Sequence, residues 1–360
     1  MPQPGSAAGL SVVPVVGVGE VTAGADLAGL LVGALAASGG GALRPGDCLV
    51  VSSKVVSKAL GLTWSGSRED AVAAGTVRVV AERRAAGDAG VTRVVESTAG
   101  PVMAAAGVDA SNTGPSAELL LLPEDPDAEA ARLRTALLDH LELPSATPLA
   151  VVLSDTAGRP WRDGLTDFAL GSAGLRVLED LRGATDHDGR PLAVTMRALA
   201  DEVAAAADLV KGKADGIPAA VVRGLRPEWF SADTPGARAL VRVGRGDWFA
   251  LGHTEAVRAA LGVEAGSAAS EEVGIRSVLP DEPFHDRVGR VIALALRDVP
   301  DGSADVGPGE QEGTAEVTVG APDDYDLGRL VVRLEVAAAS DGLTAHLVGR
   351  AGSTVTVVLR

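Results

Sequence analysis

Aromatic side chains are scarce in this 360-residue chain, which has four Phe, four Trp and one Tyr. That leaves no platform for stacking single-stranded bases. Cysteine is scarcer still. Cys48 alone excludes an internal disulfide and any cysteine-rich metal cluster, and its place in the apolar run CLVV points to a buried, inert thiol. Basic runs are also missing: 32 Lys and Arg face 48 Asp and Glu, a net charge of −16, and no basic run exceeds a pair. The basic stripe that a phosphate backbone requires is absent, so nucleic acid is not expected as a partner. No stretch is long and apolar enough to span a bilayer, and MPQPGSAAG has no signal-peptide layout, so a cytoplasmic protein without a membrane partner is expected.

What the chain does contain is an aliphatic core supply of Ala, Val and Leu, and enough length for two units or one elaborated domain. A chain this acidic can bind an anionic nucleotide only locally, through backbone N–H groups, a few Lys or Arg and a metal ion. LSVVPVVG from Leu10 reads as a strand, and the Gly-rich GVGEVTAGADL after it as a loop entering a helix near Asp26. CLVVSS from Cys48 is a buried strand with Lys54 and Lys58 beyond its end. VTRVVEST and ELLLLP read as strands, and the loop between them offers Asp109, Ser111 and Asn112. Asp125 and Pro126 open a helix with Leu133, Leu137 and Leu141 on one face. PLAVVLSDT is a strand ending in Ser154, Asp155 and Thr156, followed by TAGRPWRDG as a loop. A helix is expected from about Val194 to Val210, then KGKADGIP and the strand AAVVRGL, with linkers at 262–280 and 301–315. No internal repeat is present.

Asp109 and Asp155 stand at loop or strand-end positions beside hydroxyl and amide residues, the hard oxygen donors that suit Mg²⁺ or Mn²⁺ held with phosphates. The same placement suits turn formers and caps. Lys54 and Lys58 can each meet a phosphate or carboxylate as a point charge, or stand in solvent as ordinary surface lysines. No GxxxxGK[ST] occurs, the five histidines show no zinc-site spacing, and Ser154 lacks a GxSxG frame.

Five long motifs occur in order: VVPVVGVGEVTAGADL, GDCLVVSSKVVSKALG, VMAAAGVDASNT with LLLPEDPDAEAARLR, SDTAGRPWRDGLTDFALGSAGL with LEDLRGATDHDGRPLAVT, and ADEVAAAADLVKGKADGIPAAVVRG. Together they resemble the coenzyme F420-0:L-glutamate ligase family. The resemblance implies an intertwined α+β fold with mixed and antiparallel sheets over residues 10–255, and leaves 256–360 as a small α+β C-terminal extension. It implies GTP-dependent formation of an amide between L-glutamate and coenzyme F420-0 in coenzyme biosynthesis, by way of an acyl phosphate, in a homodimer. Its alternatives are a metal-dependent GTP-binding paralogue and a phosphoryl-transfer or hydrolytic enzyme that needs no glutamate.

Position by position, the resemblance places Val18, Gly19, Glu20 and Val21 at GTP, with Ser53, Lys58 and Asn112, and lets the loop Lys211, Gly212, Lys213, Ala214, Asp215, Gly216, Ile217 and Pro218 close over it. Asp109 and Asp155 would hold one divalent cation and Thr156 a second. Lys58 and Asp155 would carry the catalysis. The implied cofactors are two Mg²⁺ or Mn²⁺ ions, with K⁺ as a further candidate and GTP as co-substrate. Thr98, Ala99 and Gly100 stand where relatives carry His-Gly, Ala105 where Asn is usual, and Lys213 where an acidic residue is usual, which leaves the second cation short of a ligand unless Asp215 or water substitutes. DLGRLVVRLEVAAASDGLTAHLVG is similar to a nitroreductase core segment, so the extension reads as a truncated relic, without an expected flavin.

Overall fold

Four apolar residues in a row, without polar alternation, make a strand that must be covered on both faces. CLVV behaves so: the computed structural model, which describes residues 9–86, 90–110, 118–279 and 281–360, places it in the middle of a five-stranded sheet. The chain forms two compact units, one of Met1–Thr76 with Ser97–Val243 and one of Val77–Glu96 with Gly244–Arg360.

In the first unit the sheet consists of β1 (Ser11–Pro14), β2 (Cys48–Ser52), β3 (Ala150–Arg159), β4 (Arg162–Ala173) and β5 (Ala219–Arg223), in the spatial order β1-β5-β2-β3-β4. The β2–β3 pairing is parallel and the others are antiparallel. Leu49, Val51, Val151, Leu153 and Val221 face a core shared with α1 (Leu27–Ala37) and α3 (Pro126–His140), while α2 (Ser53–Leu60) adds Val56. Cys48, Val50, Ala150, Val152 and Val222 face the other core, built on Leu199, Val203 and Ala207 of α4 (Leu199–Lys211). The period-two alternation of side chains sorts each strand between the two layers. Burial pushes the Cys48 thiol well above its ordinary value, in keeping with an inert core residue.

Helix starts obey local chemistry. Asp26 and Asp125 cap α1 and α3 by accepting from the backbone N–H of Gly29 and Ala128, and Pro126 takes the first helical position. The expected loop TAGRPWRDG is instead the end of a long hairpin: β3 runs on to Arg159 and pairs with β4, and Trp161 turns the corner at φ 61°. The helix expected from Val194 starts at Leu199, because Met196–Arg197 is a short strand paired with Glu179–Asp180.

The second unit carries an antiparallel sheet of β6 (Ser303–Pro308), β7 (Ala315–Gly320), β8 (Ala345–Ala351) and β9 (Thr354–Leu359), ordered β6-β7-β9-β8. Its core joins Val317, Val319, Val357 and Leu359 to α5 (Phe284–Leu296) and α6 (Asp324–Ser340). The expected linkers hold structure: Ser267 caps a short helix at Ala268–Val273, and Ser303–Pro308 is β6. The strands Thr76–Arg84 and Val91–Ser97 supply Glu82, which is buried and accepts from Ser270 Oγ, Gly266 N–H and Arg93 Nε. The chain is thus α+β throughout. Among the described residues no helix is long and apolar enough to cross a membrane.

Candidate functional site

Parallel pairing sets Ser52, the last residue of β2, beside Ser154, where β3 continues into its hairpin, and the residues just past this level face the same space. Beyond β2 comes α2 with Lys54 and Lys58, and beyond Ser154 come Asp155 and Thr156. The chain entering β5 lies beside them, since the Ser52 N–H donates to the Pro218 carbonyl at 2.8 Å. The Gly-rich loop arrives from β1, with Gly17 and Gly19 at φ 81° and 72°, conformations that glycine adopts without strain. These pieces line a cavity of about 580 Å³, within the range of small-molecule sites.

Of the residues expected at the site, Gly19, Glu20, Val21, Lys58, Asp109, Asp155 and Thr156 line this cavity, as do Lys211 to Ala214 and Gly216 to Pro218. Val18 lies in the core instead. Asp215 does not line the cavity; it is exposed, and a Cβ on Gly212 would come 2.4 Å from its Oδ2. Ser53 lines an adjoining cavity of about 260 Å³ that shares Lys54, Asp109, Asp155 and Thr156. Asn112 lies outside the described residues.

Lys58 Nζ pairs with Glu20 at 2.5 Å, and Lys54 Nζ with Asp109 at 2.7 Å. Asp109 is itself fixed by exchanging backbone hydrogen bonds with Leu120. At the floor, Lys211 Nζ donates to Asp167 Oδ2 at 2.6 Å and to Ser154 Oγ at 2.7 Å, and Ser154 Oγ donates to the same oxygen at 2.8 Å. Thr156 Oγ1 donates to Asp167 Oδ1 at 2.6 Å. Burial alone would raise Asp167, but the Lys211 charge and these hydrogen bonds hold it below its ordinary value.

Asp155 behaves oppositely. It accepts the Thr156 N–H at 2.8 Å, yet burial, with Asp167 and Asp109 nearby, pushes its carboxyl up to about 6. Asp155, short of positive charge, shares the cavity lining with Asp109, and the two offer a hard divalent cation oxygen donors once Lys54 gives up Asp109. The second position does not fit. Lys213 Nζ donates to Thr156 Oγ1, whose proton is already given to Asp167. Among the described residues no group of three His, Cys, Asp or Glu side chains could hold a metal ion.

Asp167 and Asp208 line the cavity without having been singled out in the sequence. The signal for Asp167 was a lone charge in the apolar stretch TDFALG, and reading it needed the β3–β4 register that sets Asp167 opposite Thr156.

A mixed sheet covered on both faces thus presents lysines and carboxylates to one cavity. The sequence profile of the F420-0:gamma-glutamyl ligase family fits residues 16–224, more than half of the chain, and the protein belongs to that family. Among its relatives, the coenzyme F420:L-glutamate ligase of Halobacterium salinarum is 40% identical over 252 residues, covering 64% of this chain and 92% of that protein. The proteins of the same name from Natronomonas pharaonis and Haloarcula marismortui are 38% and 40% identical, covering 63% and 59% of this chain and 89% and 87% of theirs.

Proposed function

We propose that this protein joins L-glutamate to coenzyme F420-0, consuming GTP. The observation that carries the reading is convergence: the Gly19–Val21 loop, Lys58, Asp155 and the Lys211–Pro218 segment, distant in sequence, line one cavity within the region matched by the ligase family.

The chemistry requires an activated acid, because a carboxylate does not surrender oxygen to an amine. In the proposed reaction the acid's oxygen takes the γ-phosphoryl group of GTP, giving an acyl phosphate and GDP. The glutamate amine then attacks the acyl carbon, the C–O bond to phosphate breaks, and amide, inorganic phosphate and a proton leave. Lys58, once parted from the exposed Glu20, donates to the transferring phosphoryl oxygens, and the N–H groups of the Gly19 loop cradle the phosphates. Asp109 and Asp155 would hold a divalent cation, which supplies charge neutralisation for the phosphates when bound. Lys211 keeps Asp167 ionised and Ser154 and Thr156 oriented, so the floor is rigid before substrate arrives.

The test is whether GTP consumption is coupled to both acceptors. Steady release of GDP and phosphate is expected only when coenzyme F420-0 and L-glutamate are both present. Steady release without glutamate would favour a phosphoryl-transfer or hydrolytic enzyme.

A further inference from the structure

We propose that the ammonium of Lys213 takes the place of a second divalent cation at Thr156, so that the cavity takes a nucleotide with one divalent ion rather than two. The inference rests on the proposed binding of GTP in this cavity and specifies how its phosphates are neutralised.

A hydroxyl has one proton and two lone pairs. Thr156 Oγ1 gives its proton to Asp167 Oδ1 and accepts from Lys213 Nζ, which leaves a single lone pair. The neighbouring carboxylate is no freer. Asp167 Oδ2 receives both Lys211 Nζ and Ser154 Oγ, and its Oδ1 receives Thr156. A divalent cation asks for a full shell of hard oxygens. Here Thr156 Oγ1 and both Asp167 oxygens are already engaged by two ammonium groups and two hydroxyls.

Lys213 is placed by the backbone rather than by chance. Gly212 ends α4 at φ 59°, and Asp215 packs against it so closely that a Cβ there would lie 2.4 Å from Asp215 Oδ2. This turn delivers the side chain of Lys213 to Thr156 and into the cavity wall. An ammonium has three N–H donors. With one spent on Thr156, two remain for phosphate oxygens, which a metal at the same point would otherwise contact.

Counting bound ions tests this directly. Chelator-treated protein saturated with the non-hydrolysable imido analogue of GTP is titrated with Mn²⁺, and free Mn²⁺ is followed by electron paramagnetic resonance. The wild type is expected to hold one Mn²⁺ per bound analogue. Lys213→Glu, which replaces the cation by a ligand, is expected to hold two. Lys213→Gln should hold one and bind the analogue about tenfold more weakly, the loss expected for one charge-assisted hydrogen bond. Melting curves confirm that each variant is folded, and the glutamine arm stands if the glutamate variant is not. Two ions in the wild type would overturn the inference and leave the nucleotide reading standing, as would unchanged analogue affinity in Lys213→Gln. No analogue bound at any Mn²⁺ concentration would overturn both.

Discussion

Replacing Asp155 by Asn should stabilise the metal-free protein while removing a residue the site needs. Its carboxyl is raised from 3.8 to about 6, first by burial and then by Asp167 and Asp109. At about 1.4 kcal/mol for each tenfold change in proton affinity, holding the charged form in place costs about 3 kcal/mol at neutral pH. The side chain is only partly covered, so solvent screening brings this to about 2 kcal/mol. The sign comes from linkage: the folded state binds the proton more tightly, so stability is greatest below 3.8 and is lost as pH rises through about 6. Asn keeps the acceptor for the Thr156 N–H and carries no charge to desolvate. In thermal melts of chelator-treated protein at neutral pH, Asp155→Asn should melt about 4–8 °C above the wild type. The difference should close as the pH is lowered to about 4, near the ordinary carboxyl value. Added Mn²⁺ should raise the wild type and leave the variant unmoved. A variant that melts at or below the wild type at neutral pH would refute the reasoning.

Buried charge sets three further outcomes. Lys211→Met strands Asp167, whose side chain is 3% exposed, and should cost about 3–5 kcal/mol in urea denaturation, with the double variant Lys211→Met/Asp167→Asn recovering most of it. Glu82→Ala removes the buried carboxylate that Ser270 Oγ and the Gly266 N–H donate to, while Arg93 keeps Glu271, and should cost about 3 kcal/mol by the same assay. Burial favours the neutral form of Glu282, but the two-pronged contact from Arg290, at 2.7 Å to each oxygen, holds it below its ordinary 4.5. Its contribution is therefore present above 4.5 and lost as pH falls through the folded value. Glu282→Gln should show a shallower loss of melting temperature than the wild type across that acid range.

The sheet was largely legible because its strands are apolar on both faces: CLVV and LAVVL have no other stable home than the middle of two layers. The β3–β4 hairpin was not, since the Gly and Pro residues of TAGRPWRDG read as a loop and only pairing with β4 straightens them. Asp109 and Asp155 could be singled out as polar groups that follow apolar runs, although Asp155 proves to lie within β3. The pairing that holds the floor of the site could not, because Lys211, expected in the closing loop, ends α4 instead, and it meets Asp167, 44 residues away, only once α4 packs on the sheet. The pairing of Glu82 with Ser270, across 188 residues, is likewise invisible before folding and is one of the contacts that tie Val77–Glu96 to the rest of the second unit.

Mass spectrometry of coenzyme F420-0 after incubation with the protein, GTP, L-glutamate and Mn²⁺, beside an Asp155→Ala control, tests the central claim most directly. A gain of one or more glutamyl units with the wild type, lost in the control, is the predicted result. An unchanged coenzyme mass with the wild type, with GTP binding intact, would contradict the ligase assignment.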